Sequence, residues 1–196
     1  MQSLSVKHQG KSVQCVHYDV DDEPSILNIF FFWKTTVLLA EQSNTRKPQL
    51  PETFSEPFCC LNCDLLHKKG AGLDAFRVDA AGTVTEAIEI KATVTEAGFT
   101  DVKRTMDFDE LIWLSFSGYA SLGYSIYRIT KSDISPYVQK SKTDRDRGTI
   151  NLRRIVSDLD ITPFVTGRIG VIKASALPSR ETASSVVEQT AALFTP

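Results

Sequence analysis

No apolar run in this sequence is long enough to cross a bilayer, and the longest, Ile26 to Ala40, is interrupted by Asn28 and Lys34. A membrane role is therefore excluded as a reading. The opening Met1 to Gly10 lacks the basic-then-apolar pattern of a secretory leader, so the expectation is a cytoplasmic protein. Cysteine is scarce, with Cys59, Cys60 and Cys63 crowded together and Cys15 standing apart, an arrangement unsuited to a disulfide framework. A zinc reading that joins Cys60, Cys63 and His67 to Cys15 and His17 is set aside, because a structural zinc site shows two compact half-sites and these lie far apart on the chain. Glycine-rich phosphate loops and a Ser/His/Asp arrangement are missing too, which argues against NTP hydrolysis and acyl transfer. Nor is there an excess of one charge: 22 Lys and Arg against 24 Asp and Glu leave −2, so any nucleic-acid contact must come from local clustering.

What is present is an ordinary globular composition, 42% hydrophobic and 23% charged over 196 residues, without repeats or a linker. One domain spanning 1–196 is expected, with a helical N-terminal part over 1–49, a core over about 50–160 and a small, polar tail over about 174–196. Apolar residues at three- and four-residue intervals from Ile26 to Leu38 predict a helix capped by Ser25. After the irregular segment 44–57, a second helix is expected with Ser55 as its cap, because proline is best tolerated in a first turn and Pro57 follows; it would carry Phe58, Leu61, Leu65 and Leu66 inward and stop at Gly70 and Gly72. The period then changes to two. Leu73–Val78 and Val84–Val94 read as strands joined by the turn-type cluster Asp79–Gly82, and Leu111–Phe116 with Tyr124–Ile129 reads as a second hairpin. A short helix over 132–141, a charged loop over 142–148 and a helix over 151–159 complete an α/β fold, a mixed central sheet flanked by helices.

The first hairpin carries the chemistry. A turn centred near residue 81 brings Asp74 opposite residues 88 and 89, and alternation puts Glu89 and Lys91 on one face, so the three converge. Two carboxylates are hard oxygen ligands for Mg²⁺, which polarises a phosphate and acidifies a bound water, while Lys91 is suited to orient that water or to stabilise charge developing on phosphorus. Charged residues alternating with Ile88, Ile90 and Ala92 in a central strand need a reason to be there.

Asp74 followed by Glu89-x-Lys91 resembles the signature of PD-(D/E)xK nucleases, with Leu73 where a proline gives that superfamily its name. The surroundings are similar to small type II restriction endonucleases, through Pro51–Glu56, Asp109–Phe116 followed by Ile126–Ile129, and Arg145–Gly148 leading into Ile150–Leu152. The resemblance implies a restriction-endonuclease-like core and a homodimer that cuts both strands of a specific double-stranded DNA site with Mg²⁺. It also makes Glu56 a candidate third carboxylate, on a helix beside the hairpin, for catalysis and for holding the metal with Asp74 and Glu89. Other readings are a repair or mobile-element nuclease of the same superfamily, or a DNA-binding module without catalysis.

DNA contact is expected from clustered base. Between 140 and 154, Lys140, Lys142, Arg145, Arg147, Arg153 and Arg154 outnumber Asp144 and Asp146. Lys103 and Arg104, just past the catalytic strand, form a second candidate.

Overall fold

The computed structural model describes residues 1–95, 97–140 and 146–170. In chain order these form β1 (Gln2–His8), β2 (Lys11–His17), α1 (Glu23–Gln42), α2 (Glu52–Cys63), β3 (Leu66–Lys68), β4 (Ala75–Val78) and β5 (Val84–Thr93). There follow β6 (Phe99–Lys103), β7 (Glu110–Phe116), β8 (Gly123–Thr130), α3 (Lys131–Ile134), β9 (Gln139–Lys140), β10 (Arg147–Asn151), α4 (Leu152–Asp158) and β11 (Val165–Arg168). Among the described residues, eight strands make one sheet in the order β1-β2-β3-β4-β5-β7-β8-β11, and β6-β10-β9 make a second. The large sheet is mixed, since β5 and β7 run parallel while their neighbours pair antiparallel. This is the α/β class that the sequence implies.

The fully buried β7 divides the core. Ile112 and Leu114 face one way, onto α1 and α2 through Phe30, Trp33, Phe54 and Phe58. Leu111 and Trp113 face the other way, onto α4 through Leu152, Ile155 and Val156. The helices thus cover opposite faces of the sheet, as alternation along a doubly buried strand requires. Among the described residues no helix is long and apolar enough to cross a membrane.

Several boundaries differ from the sequence reading. Residues 1–49 are not purely helical: they open with the β1–β2 hairpin, and the main sheet draws on residues 2–17 and 165–168, outside the expected core. α1 starts at Glu23 with Asp22 as its cap, so Ser25 lies within the first turn and Pro24 takes the position where its missing N–H costs nothing. α2 starts at Glu52, which puts Pro57 inside the helix. The helix survives the one lost main-chain bond because Phe54, Pro57 and Phe58 are all buried. It ends at Asp64 in the left-handed conformation, well before Gly70, so Leu65 lies beyond it and Leu66 opens β3. The expected 132–141 helix is only Lys131–Ile134 and a following single turn, and the expected loop contains the start of β10. Both expected hairpins are present, with Asp79 Oδ1 accepting the Ala81 and Thr83 amides in the first turn.

Gly98 joins the two sheets. Its φ is +62°, and a Cβ there would stand 2.9 Å from the Trp113 indole. Only glycine allows β6 to start so close to β7.

Candidate active site

The site lies where two strands part. β4 pairs with β5 only from Val78 opposite Val84 to Ala75 opposite Ile88, whereas β5 keeps its parallel partner β7 on to Thr93. Asp74 stands in this fork. Its amide donates to the Ile88 carbonyl at 3.2 Å, and its Oδ2 accepts the Ile90 amide at 2.7 Å, so a side chain continues the ladder where the strand stops.

Glu89 and Lys91 follow on one face of β5 and form an ion pair at 2.6 Å. With Asp74 they line a polar cleft of about 420 Å³. α2 contributes Glu52 and Glu56, and the 68–73 loop closes the remaining side. All four sequence-predicted catalytic residues, Asp74, Glu89, Lys91 and Glu56, are therefore brought to one cleft. Glu56 is held from behind: its Oε2 lies 2.8 Å from His67 Nε2, and His67 Nδ1 lies 3.1 Å from the Tyr18 hydroxyl.

Burial, and next the charge of Glu89, push the Asp74 carboxyl up to about 7, with Glu56 adding to the rise and the Ile90 amide and Lys91 opposing it. Four acids, Glu52, Glu56, Asp74 and Glu89, thus line a cleft with two lysines, of which Lys91 is already paired with Glu89. Among the described residues no three Asp, Glu, His or Cys side chains close around an ion by themselves. Mg²⁺ does not ask for such a cage, since it keeps several waters and binds through one or two carboxylates and substrate phosphates. An open cleft with hard oxygen donors and more carboxylates than lysines fits it.

The basic candidates divide. Lys103 on β6 stands opposite Arg147 on β10, and the Arg104 amide donates to the Asp146 carbonyl at 2.9 Å, so these cations gather at one end of the small sheet. Arg147 lines a second cleft, about 560 Å³, together with Lys91, Glu52, Phe99 and Asp101. Lys103 lines a third, about 520 Å³, with Glu89, Lys68 and Lys131. These clefts share residues with the central one, so a continuous groove runs past the acids. Arg153 lies over the Trp113 ring at 5.6 Å, beside the strand that carries Lys91. Arg154 turns away: it meets Asp158 at 3.2 Å and lines a separate cleft with Ser132, Tyr137 and Leu159. Lys142 and Arg145 fall outside the described residues, as does the tail over 174–196.

Lys68, Lys131 and Asp101 also reach the clefts and were not singled out from the sequence, while His67, weighed there only as a zinc ligand, supports Glu56 instead. Their signal is purely tertiary, apart from the position of Asp101 two residues before Lys103. The cysteines sit elsewhere in role: Cys15, Cys59 and Cys60 are buried, and burial raises all four thiols, Cys63 to about 11. Such thiols behave as small apolar side chains.

The family model described as Bsp6I restriction endonuclease matches residues 18–151, more than half of the chain. No curated protein matches it.

Proposed function

The chain belongs to the Bsp6I restriction endonuclease family, and we propose that it is a type II enzyme of PD-(D/E)xK chemistry, hydrolysing phosphodiester bonds at a specific double-stranded DNA site with Mg²⁺. The observation that carries this reading is the convergence of Asp74, Glu89 and Lys91 on one cleft at the strand fork. In this reading Asp74, just ahead of β4, and Glu89 on β5 hold the cation, and Glu56, fixed by His67, completes the oxygen set from α2. Bound there, Mg²⁺ would polarise the scissile phosphate and acidify a water. Lys91 Nζ orients that water and stabilises the charge that builds on the phosphoryl oxygens. Its ion pair with Glu89 keeps it aimed into the cleft before DNA arrives.

Lys103, Arg104 and Arg147 seat the phosphate backbone along the groove, with Arg153 beside them. One chain offers one such cleft, so cutting both strands calls for two copies, and a homodimer is part of the proposal. Incubation of the protein with a plasmid of known sequence, with Mg²⁺ and then with EDTA, tests the reading. Discrete fragments whose sequenced ends share one motif support it. Smears or nicks without a common end sequence favour a repair or mobile-element nuclease of the same chemistry, and binding without metal-dependent cutting favours a DNA-binding module.

A further inference from the structure

The exposed face of β6 and β10 carries three cross-strand pairs: Phe99 opposite Asn151, Asp101 opposite Thr149, and Lys103 opposite Arg147. Two cations directly opposed on one ladder are unfavourable in isolation, which suits a face that meets a polyanion. An acid on such a face is out of place. Asp101 is exposed and lines the same cleft as Lys91 and Arg147, and its Oδ1 accepts the Thr149 hydroxyl at 3.0 Å, which fixes the carboxylate and leaves Oδ2 to point elsewhere.

What duplex DNA can offer a carboxylate is narrow. Phosphate and sugar oxygens are acceptors and repel it. The donors on display are exocyclic amino groups, and those of cytosine N4 and adenine N6 lie in the major groove, which admits a two-stranded ribbon. The guanine amino group lies in the minor groove, too narrow for one. We propose that Asp101 is a specificity-determining residue: its Oδ2 accepts a major-groove exocyclic amino group, with Thr149 holding the carboxylate in place. This rests on the DNA-cleaving reading above and names what that site reads. An acid that only sat near the backbone would weaken binding to every sequence, whereas a base-reading acid strengthens one.

The test begins with the parent protein, whose fragment ends give the recognition sequence. Binding is then measured in Ca²⁺, at one salt concentration, to the cognate duplex, to random duplex, and to cognate duplexes in which single cytosines become 2-pyrimidinone or single adenines become purine, each lacking its amino group. The parent should lose about tenfold or more at one such position. Asp101→Ala should show the same loss on the intact site, no further loss at that position, and random-DNA binding at least as tight as the parent's. Thr149→Val should fall between the two. Coupling in the cytosine series or in the adenine series identifies the base. If Asp101→Ala separates cognate from random DNA as well as the parent does, or couples to no amino group, the inference is overturned. A parent that neither binds nor cuts duplex DNA overturns the underlying reading instead, and does so before any variant is made.

Discussion

The Asp74 carboxylate accepts the main-chain amide of Ile90 at 2.7 Å and lines one polar cleft together with Glu89. One side chain therefore finishes a sheet and opens a site. Asp74→Ala removes both functions and orphans a main-chain donor, at a cost of about 1–3 kcal/mol. Asp74→Asn keeps an acceptor for Ile90 and loses only the charge. We expect Asp74→Asn and Glu89→Gln to reduce plasmid cleavage about a thousandfold or more, with DNA binding in Ca²⁺ close to the parent's. Parent-like cutting by either variant would remove these residues from the site.

The same carboxyl gives the metal-free protein a pH dependence of definite sign. Asp74 titrates near its ordinary 3.8 in the unfolded chain and at about 7 in the folded one. Between these values the folded state holds a proton that the unfolded state has released, so the contribution of Asp74 to stability is full below about 4 and is lost as pH rises through 7. The full difference is at most about 4 kcal/mol. Urea unfolding of the parent and of Asp74→Asn from pH 4 to pH 8 should diverge, the parent falling more steeply. A divalent cation should restore part of the loss at neutral pH, raising Tm with concentration.

Glu110 makes a purely structural prediction. It is buried at the start of β7, with Oε2 accepting from Arg77 Nη2 at 3.0 Å and Oε1 accepting from Arg128 Nε at 2.6 Å, and Arg77 also pairs with Glu86. Glu110→Ala leaves two cations facing each other without their shared carboxylate. A loss of about 3 kcal/mol in urea unfolding is expected. A loss under about 1 kcal/mol would mean that the pairs contribute no more than exposed ones do.

Lys103 and Arg147 are expected to act on the DNA backbone. Replacing both by Ala should weaken cognate and random binding alike and reduce the slope of log affinity against log salt by about two units. An unchanged slope would place the duplex elsewhere.

The site was more legible than the frame around it. Asp74, Glu89 and Lys91 could be placed together because a short turn brings the two strands back together within about one residue, although a register shift at Arg77/Val78 puts Ala75, and not Asp74, opposite Ile88. The β1–β2 hairpin escaped because its alternation is shallow, with Leu4 and Val6 facing Cys15 and Val13 amid polar residues, and what fixes it is long-range pairing with β3. Pro57 misplaced the start of α2: a local rule about proline gave way to the burial of two phenylalanines against the sheet. Glu56 was found through family likeness alone, since nothing local tells a carboxylate in a helix that it will face a fork between strands.

Trp113 is wedged between the two halves of this chemistry. Its indole donates to Thr93 Oγ1 at 3.0 Å, its strand neighbour is Lys91, and Gly98 at the root of β6 fits against its ring. The face that carries Asp101 is thus keyed to the strand that carries Lys91 by close packing of Gly98 on Trp113. On the proposed reading the protein is a fixed ruler, in which one tryptophan sets the number of base pairs from the base that Asp101 reads to the bond cut beside Lys91, whatever sequence lies in between.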